Sequence, residues 1–418
     1  MEDNPDAIRK AYEQGGFRPR LVHGSADSGQ RSDEPFALRP LRIADQRSIP
    51  HRQWIYGAHL IRGFVTLLVA PGGTGKSSLL LAMCMAIATG RALLGTRIHQ
   101  QCNAAILNLE DPQDEIDRRL TALAMHYGVT DEDIAGRLFA SPAERVVNIA
   151  GIGDDGFSVV HPDEKQIIER VRDENIGVLG VDPFAESHTL EENSNPAMIK
   201  AAAAWRRVAR SGNCSVILAH HVRKGMVDSI EAARGAKALT DSARIGLLLS
   251  SMTEADASDL GIPAEDRLQY VRLDDAKANM SARAPKASWF RLATVTLDNA
   301  DATYPQGDRV GVIESWQPTS VWDATPVPTL NEALDRIDAG LPGGSRYTNS
   351  RRGESNERWA GTVLMDLCNL QDGQAAAMIK TWIKNGVLEV RSYRDPIQRH
   401  DRMGLWVNAT KRPGAVHG

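Results

Sequence analysis

The stretch from Phe64 to Ser77 reads Phe-Val-Thr-Leu-Leu-Val-Ala-Pro-Gly-Gly-Thr-Gly-Lys-Ser, and the rest of the chain is best read outward from it. A mostly apolar β-type run ends at Ala70. Three glycines follow within four residues, and Lys76 and Ser77 then open a Leu- and Ala-rich segment of helical character. Strand, tight turn and helix together turn the GxxxxGK[ST] pattern into a mechanism. Gly72, Gly73 and Gly75 let the backbone curl so that its N–H groups point at phosphate oxygens, and the helix N-terminus adds a favourable field. Lys76 is expected to reach the β- and γ-phosphates, and the Ser77 hydroxyl to ligate Mg²⁺. The whole cradle is Ala70, Pro71, Gly72, Gly73, Thr74, Gly75, Lys76, Ser77 and Ser78. Ala70 stands at the first glycine position of the pattern, where a strand end tolerates a methyl. The cofactors implied are ATP and Mg²⁺.

Further apolar runs at 104–110, 176–182 and 215–220 alternate with helical patterns at 76–89, 113–126, 164–175 and 196–211, as a parallel sheet with crossover helices requires. Ligands of such sheets sit at the carboxyl ends of the strands, so the residues found there are the candidates. Asp182 closes the 176–182 run, where a carboxylate can hold Mg²⁺ directly or through water; alone it would read as a strand-ending turn residue. Glu110 closes the 104–110 run and is the candidate base that orients water in line with the γ-phosphate. Its competing reading is a helix cap, a role Asp111 fits better because Asp is a preferred N-cap. The 215–220 run ends in His220 and His221, followed by Lys224, where side chains can sense the γ-phosphate and relay its loss. No third ligand lies at metal spacing, so zinc is not expected.

After Arg244 the pattern changes to strands at 245–250, 268–273, 289–296 and 310–316 without obvious crossover helices, which predicts an antiparallel extension of the sheet. Residues 1–48 are rich in charge, Gly, Ser and Asp and read as a flexible arm. A Pro- and Thr-containing stretch at 317–328 and a Gly-rich one near 340–355 read as connecting segments. Helices at 358–369 and 373–385 and β-like runs at 387–393 and 403–407 follow, the order of a winged helix. The resulting division is 1–48, 49–316, 317–355 and 356–418.

With 418 residues, 42% of them hydrophobic, the chain can bury one large or two unequal cores. The formal net charge is -4, yet residues 341–418 hold twelve Lys or Arg against seven Asp or Glu. Lys380, Lys384, Arg391, Arg394, Arg399 and Arg402 in that basic part suit contact with DNA phosphates, diluted by Glu389, Asp395 and Asp401; a winged helix equally serves protein contacts. Cys84, Cys102, Cys214 and Cys368 fall singly in apolar stretches and read as buried thiols. The acidic, polar N-terminus lacks an apolar leader and no run reaches a membrane span, so a cytoplasmic protein is expected. Trp54 and Tyr56 can stack on a base or belong to the core.

From 54 to about 292 the chain resembles the hexameric RepA replicative helicases of broad-host-range plasmids, within the RecA- and DnaB-like ATPases. The resemblance rests on APGGTGKS, LNLEDP, VLGVDPF followed by EEN at 191–193, ILAHHVRKG, RGAKALTDSAR at 234–244, LLSSMT at 248–253, KANMSA and ASWFRL, in that order. It implies an α/β fold with a RecA-like core, to which the winged-helix-like C-terminal domain is added. It implies that Lys76 and Ser77 hold phosphate and Mg²⁺, that Glu110 is the base and Asp182 the Walker B acid, and that His220 or His221 is the γ-phosphate sensor. Arg244 takes the position of an arginine finger reaching a neighbouring subunit's nucleotide, with Lys277 a second candidate; without the resemblance Arg244 would read as a salt-bridged strand start. Arg234 carries less meaning, since Arg-Gly can simply start a turn. A homohexamer translocating on single-stranded DNA is the activity so implied. Segments outside the resemblance leave two alternatives, an ATP-switched DNA-binding regulator or loader without processive unwinding, and a nucleotide-gated sensor.

Overall fold

A computed structural model describes residues 38, 40–142, 145–156, 158–222, 236–281, 287–318, 325–351 and 357–414, with the side chains of 236–238 left out. The chain divides into two units, Met1–Pro50 and His51–Gly418. In the first, the described residues 38 and 40–50 are exposed, with one 3-10 turn, Gln46–Ser48, capped by the Asp45 side chain. The remainder of the 1–48 arm lies outside the described residues.

The second unit begins with a short ribbon, β1 (Trp54–Tyr56) and β2 (Leu60–Ile61), and then enters the central strand β3 (Val65–Pro71), every residue of which is buried. The helix Lys76–Thr89 follows, bounded by Gly75 and Gly90, both in the left-handed region that favours glycine. Leu, Ala and Met make it a strong helix former, and eleven of its residues are buried. β4 (Asn103–Asn108) leads into the helix Gln113–Tyr127, and β5 (Leu138–Ala140) closes that edge of the sheet. A two-stranded ribbon, β6 (Gly151–Ile152) with β7 (Val159–Val160), precedes the helix Glu164–Asp173 and β8 (Ile176–Asp182). The helix Asn195–Ser211 then returns to β9 (Ser215–Val222).

The sequence expectation of an antiparallel extension beginning at 245 is corrected at its first strand. β10 (Ile245–Ser251) lies parallel to β3, with Ile245 beside Thr66 and Leu248 beside Val69, and a short helix, Ala236–Ser242, carries the chain back to it. Antiparallel pairing starts only with β11 (Tyr270–Ala278) and continues through β12 (Ser288–Thr296) and β13 (Arg309–Trp316). A helix, Glu254–Leu260, stands between β10 and β11, opened by a capping box of Thr253 and Asp256 and closed by Gly261. The sheet order is β13-β12-β11-β10-β3-β9-β8-β4-β5, so β9 separates the phosphate-loop strand from the strand ending at Asp182. That is a RecA-like core.

Two apolar clusters sit on the two faces of this sheet. Leu68, Ala70, Ala104, Ile106, Val178, Ile217 and Ala219 face the helices Lys76–Thr89 and Gln113–Tyr127, and Val271, Leu273, Phe290 and Val312 of the extension join the same core. Leu67, Val69, Leu179, Val181, Val216 and Leu218 face the other way, against the helix Asn195–Ser211 and its fully buried Trp205. Cys84, Cys102 and Cys214 are buried and Cys368 half-buried; burial pushes the first three thiols up to about 12, about 11 and about 12. Among the described residues no helix is long and apolar enough to cross a membrane.

The stretch 317–355 read as a connector holds a helix, Val327–Ala339. Pro328 is tolerated in its first turn, and Leu330, Ala333, Leu334 and Ile337 fall on one buried face. Helices Gly361–Cys368 and Asp372–Lys384 pack with it, and β14 (Leu388–Arg394) pairs with β15 (Asp401–Val407) over a third apolar cluster that includes Trp359 and Trp382. The basic surface expected here is smaller than its composition implies. The exposed Arg391 donates to Glu389 at 3.0 Å and Arg402 lies 3.8 Å from the buried Asp395, while Lys380, Lys384, Arg394 and Arg399 are exposed as well.

Candidate functional site

β3 delivers the chain to Pro71 at the sheet's carboxyl edge, and the loop that follows turns on Gly73 and Gly75, with φ of 77° and 82°. The Thr74 hydroxyl donates to the Pro71 carbonyl at 2.8 Å and ties the loop across its base. A Cβ built on Gly72 or Gly73 would meet nothing within 4 Å, so the loop backbone faces open space there. On Gly75 it would lie 2.8 Å from a methyl of Leu292, so the β12 strand packs directly against the loop.

The Lys76 ammonium donates to the Asp182 carboxylate, and the two side chains are only 3% and 7% exposed. This buried pair joins the two halves of the phosphate-and-metal pattern. Asp182, Asn108, Asp111 and the half-buried Ser77 line one cavity of about 110 Å³. Ser77 and Asp182 are hard oxygen donors of the kind Mg²⁺ takes, and the open loop backbone fits a phosphate chain. These residues therefore fit Mg²⁺ and a nucleoside triphosphate.

Glu110 follows β4, one residue past Leu109, whose amide donates to the Asp182 carbonyl at 2.9 Å and so extends the β4–β8 pairing. Its side chain is 65% exposed and lies 4.0 Å from His221 Nε2. The Asp111 cap expected from the sequence is replaced by another arrangement. Pro112 occupies the cap position without a side-chain bond, and Asp111 instead accepts from Arg119 at 2.6 Å. Glu115 accepts from the same guanidinium at 2.8 Å, so the i,i+4 spacing of Glu115 and Arg119 on one helix face, with Asp111 just before the helix, was the available signal for Arg119.

Strand alternation separates the two histidines that the sequence left as equivalents. His221 shares its side of β9 with Ile217 and Ala219, the side of the Lys76–Thr89 helix, Asn108 and Asp182. His220 shares the opposite side with Val216 and Leu218, and its ring lies 6.1 Å from that of Phe184, which in turn lies 4.8 Å from His188. His221 therefore faces the phosphate loop, while His220 belongs to a buried aromatic cluster behind the strand. Sequence reading missed Phe184 and His188 because neither sits at a strand end.

Burial, with help from His221, Lys76 and His188, pulls the His220 pKa from 6.5 down to about 4. His188 is lowered as well, mainly by burial. Below pH 6.5 the unfolded chain takes up protons that the folded chain refuses until about pH 4. Stability from this group is thus complete above the unfolded value and lost as pH falls, by roughly 2 kcal/mol at about pH 5. We expect urea unfolding to show this loss between about pH 7 and pH 5, and the His220→Leu variant to lose less over the same interval. An equal loss in both proteins would remove His220 as the source.

Arg244 lies at the opposite end of the sheet. It precedes Ile245, which pairs with Thr66, so Arg244 is level with Val65 and roughly 20 Å of strand separates it from Pro71 at a rise of about 3.4 Å per residue. Arg244 is exposed. Lys277 sits nearby on β11 but is engaged, its ammonium donating to the Thr240 and Asp241 carbonyls at 2.6 and 3.3 Å. Of the two finger candidates, only Arg244 is exposed and without a side-chain hydrogen bond among the described residues. Lys224 and Arg234 lie outside those residues. Tyr56 is buried in the core, with burial raising its hydroxyl to about 12, and Trp54 packs half-buried on the same cluster.

Fold and site together define a P-loop ATPase of RecA-like architecture. The profile of a family described as an AAA domain matches residues 32–226. Among solved structures, the chain is similar to a KaiC-like protein of the hyperthermophilic archaeon Pyrococcus horikoshii at 14% identity, with a TM-score of 0.39 over 62% of this chain and 94% of that one.

Proposed function

We propose that this chain hydrolyses Mg²⁺-ATP at sites shared between neighbouring copies of itself in a ring of six, the number its resemblance to RepA-type helicases implies, and uses the cycle to move along single-stranded DNA. The observation that carries the shared site is the position of Arg244, too far along the sheet for its own phosphate loop and exposed where a neighbour can pack.

In this reading Lys76 leaves Asp182 for the β- and γ-phosphates, while the loop N–H groups hold the phosphate chain. Ser77 and Asp182 would hold Mg²⁺, which would supply charge neutralisation for the phosphates. Glu110 takes a hydrogen bond from the attacking water and orients it, and His221 beside it registers whether the γ-phosphate is present. Arg244 of the next copy completes the charge stabilisation. His220 supports β9 from behind.

The test is ATP turnover with and without single-stranded DNA, run beside a mass measurement in ATP. Turnover is expected to rise at least tenfold with single-stranded DNA, in a species several times the chain's mass. A DNA-independent monomeric ATPase would sink the motor. The second reading, an ATP-switched DNA-binding regulator, draws on the helix-and-hairpin unit at 327–411, which packs on the ATPase core. In either reading that unit contacts duplex DNA through the helix Asp372–Lys384, its N-terminal turn entering the groove and its exposed Lys380 and Lys384 meeting phosphates once it is seated.

A further inference from the structure

The C-terminal unit meets the ATPase core through a contact built around two glycines. Gly373 stands in the first turn of the helix Asp372–Lys384, although glycine disfavours helix by about 1 kcal/mol relative to Ala. Its neighbours explain the choice. The Gly373 amide donates to Ser258 Oγ at 3.2 Å, and a methyl on Gly373 would lie 2.6 Å from Asp259 Oδ1 and 2.9 Å from the Ser258 carbonyl carbon. Across the contact Gly261, with φ of 71°, closes the helix Glu254–Leu260, and a Cβ there would fall 2.1 Å from the Gln374 amide nitrogen. That amide is itself fixed, because Gln374 Oε1 accepts from the Gln371 amide at 2.9 Å. Each side of the contact thus admits the other only for want of a side chain.

The end of the helix so buried is the one that matters for DNA. In a helix-turn-helix unit the N-terminal residues of the second helix meet the base edges. Here those residues lie against Glu254–Leu260, whose sequence EADASDL carries Glu254, Asp256 and Asp259 and no base. An acidic helix occupies the position a polyanion would take. It also follows directly on β10, which is paired to the phosphate-loop strand β3.

We propose that the helix Glu254–Leu260 is an internal latch, holding the C-terminal unit in a closed arrangement that masks its duplex-binding end. The inference rests on the reading that this unit contacts duplex DNA. Two variants of the full chain test it from opposite sides. Gly373→Ala adds the clashing methyl while favouring the helix itself, and Ser258→Trp adds bulk from the core side of the contact and leaves the sequence of the C-terminal unit unchanged. Small-angle X-ray scattering should show both more extended than the parent, and both should bind a mixed-sequence duplex at least tenfold more tightly at fixed salt. Opened variants that bind duplex with the parent's affinity overturn the latch, as do variants whose scattering matches the parent. If opened variants and parent alike bind no duplex, the duplex reading falls and takes the latch with it. Stimulation of ATP turnover by single-stranded DNA, measured on the same samples, reports on the motor separately.

Discussion

Replacing Arg244 by Ala is expected to lower ATP turnover by about 10³-fold or more, the range found for arginine fingers, while leaving nucleotide affinity within about twofold of the parent. The two readouts separate because Arg244 sits far from its own loop and touches no group that binds phosphate in the same copy. Its exposed side chain also makes collapse of the fold a poor explanation for lost activity, since exposed substitutions of this kind stay within about 0.5 kcal/mol. Lys277→Ala should behave differently. Its ammonium closes the C-terminal carbonyls at Thr240 and Asp241, so the variant should lose stability before it loses turnover per folded chain.

The trans assignment has a stricter form. A preparation of Arg244→Ala and a preparation of Lys76→Ala should each be inactive, the first lacking the finger and the second the phosphate ligand. Mixed in equal amounts in ATP, they form interfaces where an intact Lys76 of one copy meets an intact Arg244 of the next. Random assembly of a closed ring makes about a quarter of the interfaces complete, so turnover should return to a comparable fraction of the parent's. No recovery in rings shown by mass to be mixed would place Arg244 outside the active site. Recovery is out of reach for any account in which Arg244 acts within its own subunit.

How much of this was legible beforehand depends on what each feature needs. β3 and β8 are buried from end to end, so their apolar runs marked the strands to within a residue, and Asp182 at the end of β8 followed from the run alone. The facing of His220 and His221 did not follow, because it depends on the register of β9 against β3, where Ala70 pairs with His221 and Val69 with His220. Parallel pairing of β10 was hidden for a related reason. Its crossover helix, Ala236–Ser242, has only seven residues, too few to show a period. The helix Val327–Ala339 was masked by the prolines and threonine at its start, although Leu330, Leu334 and Ile337 already carried the spacing. Asp111 was read by residue preference alone, and a tertiary partner, Arg119, took it away from the cap.

Glu110→Gln should hold ATP and fail to cleave it. A positioned general base contributes about 10²- to 10⁴-fold, and an amide keeps the shape of the side chain while accepting the water's hydrogen bond far more weakly. Phosphate release is therefore expected to fall by about that factor, with the affinity for a fluorescent ATP analogue nearly unchanged, because Lys76 and the loop backbone are untouched. The 65% exposure of the Glu110 side chain makes a stability loss an insufficient cause. The histidines then divide the site by face. His221→Ala, beside Glu110, should lower turnover without lowering the unfolding midpoint, whereas His220→Ala opens a void against Phe184 and should lower the midpoint first. If His220→Ala abolished turnover in a chain of parental stability while His221→Ala stayed fully active, the strand-face assignment would be reversed, and the sensor would act from behind β9.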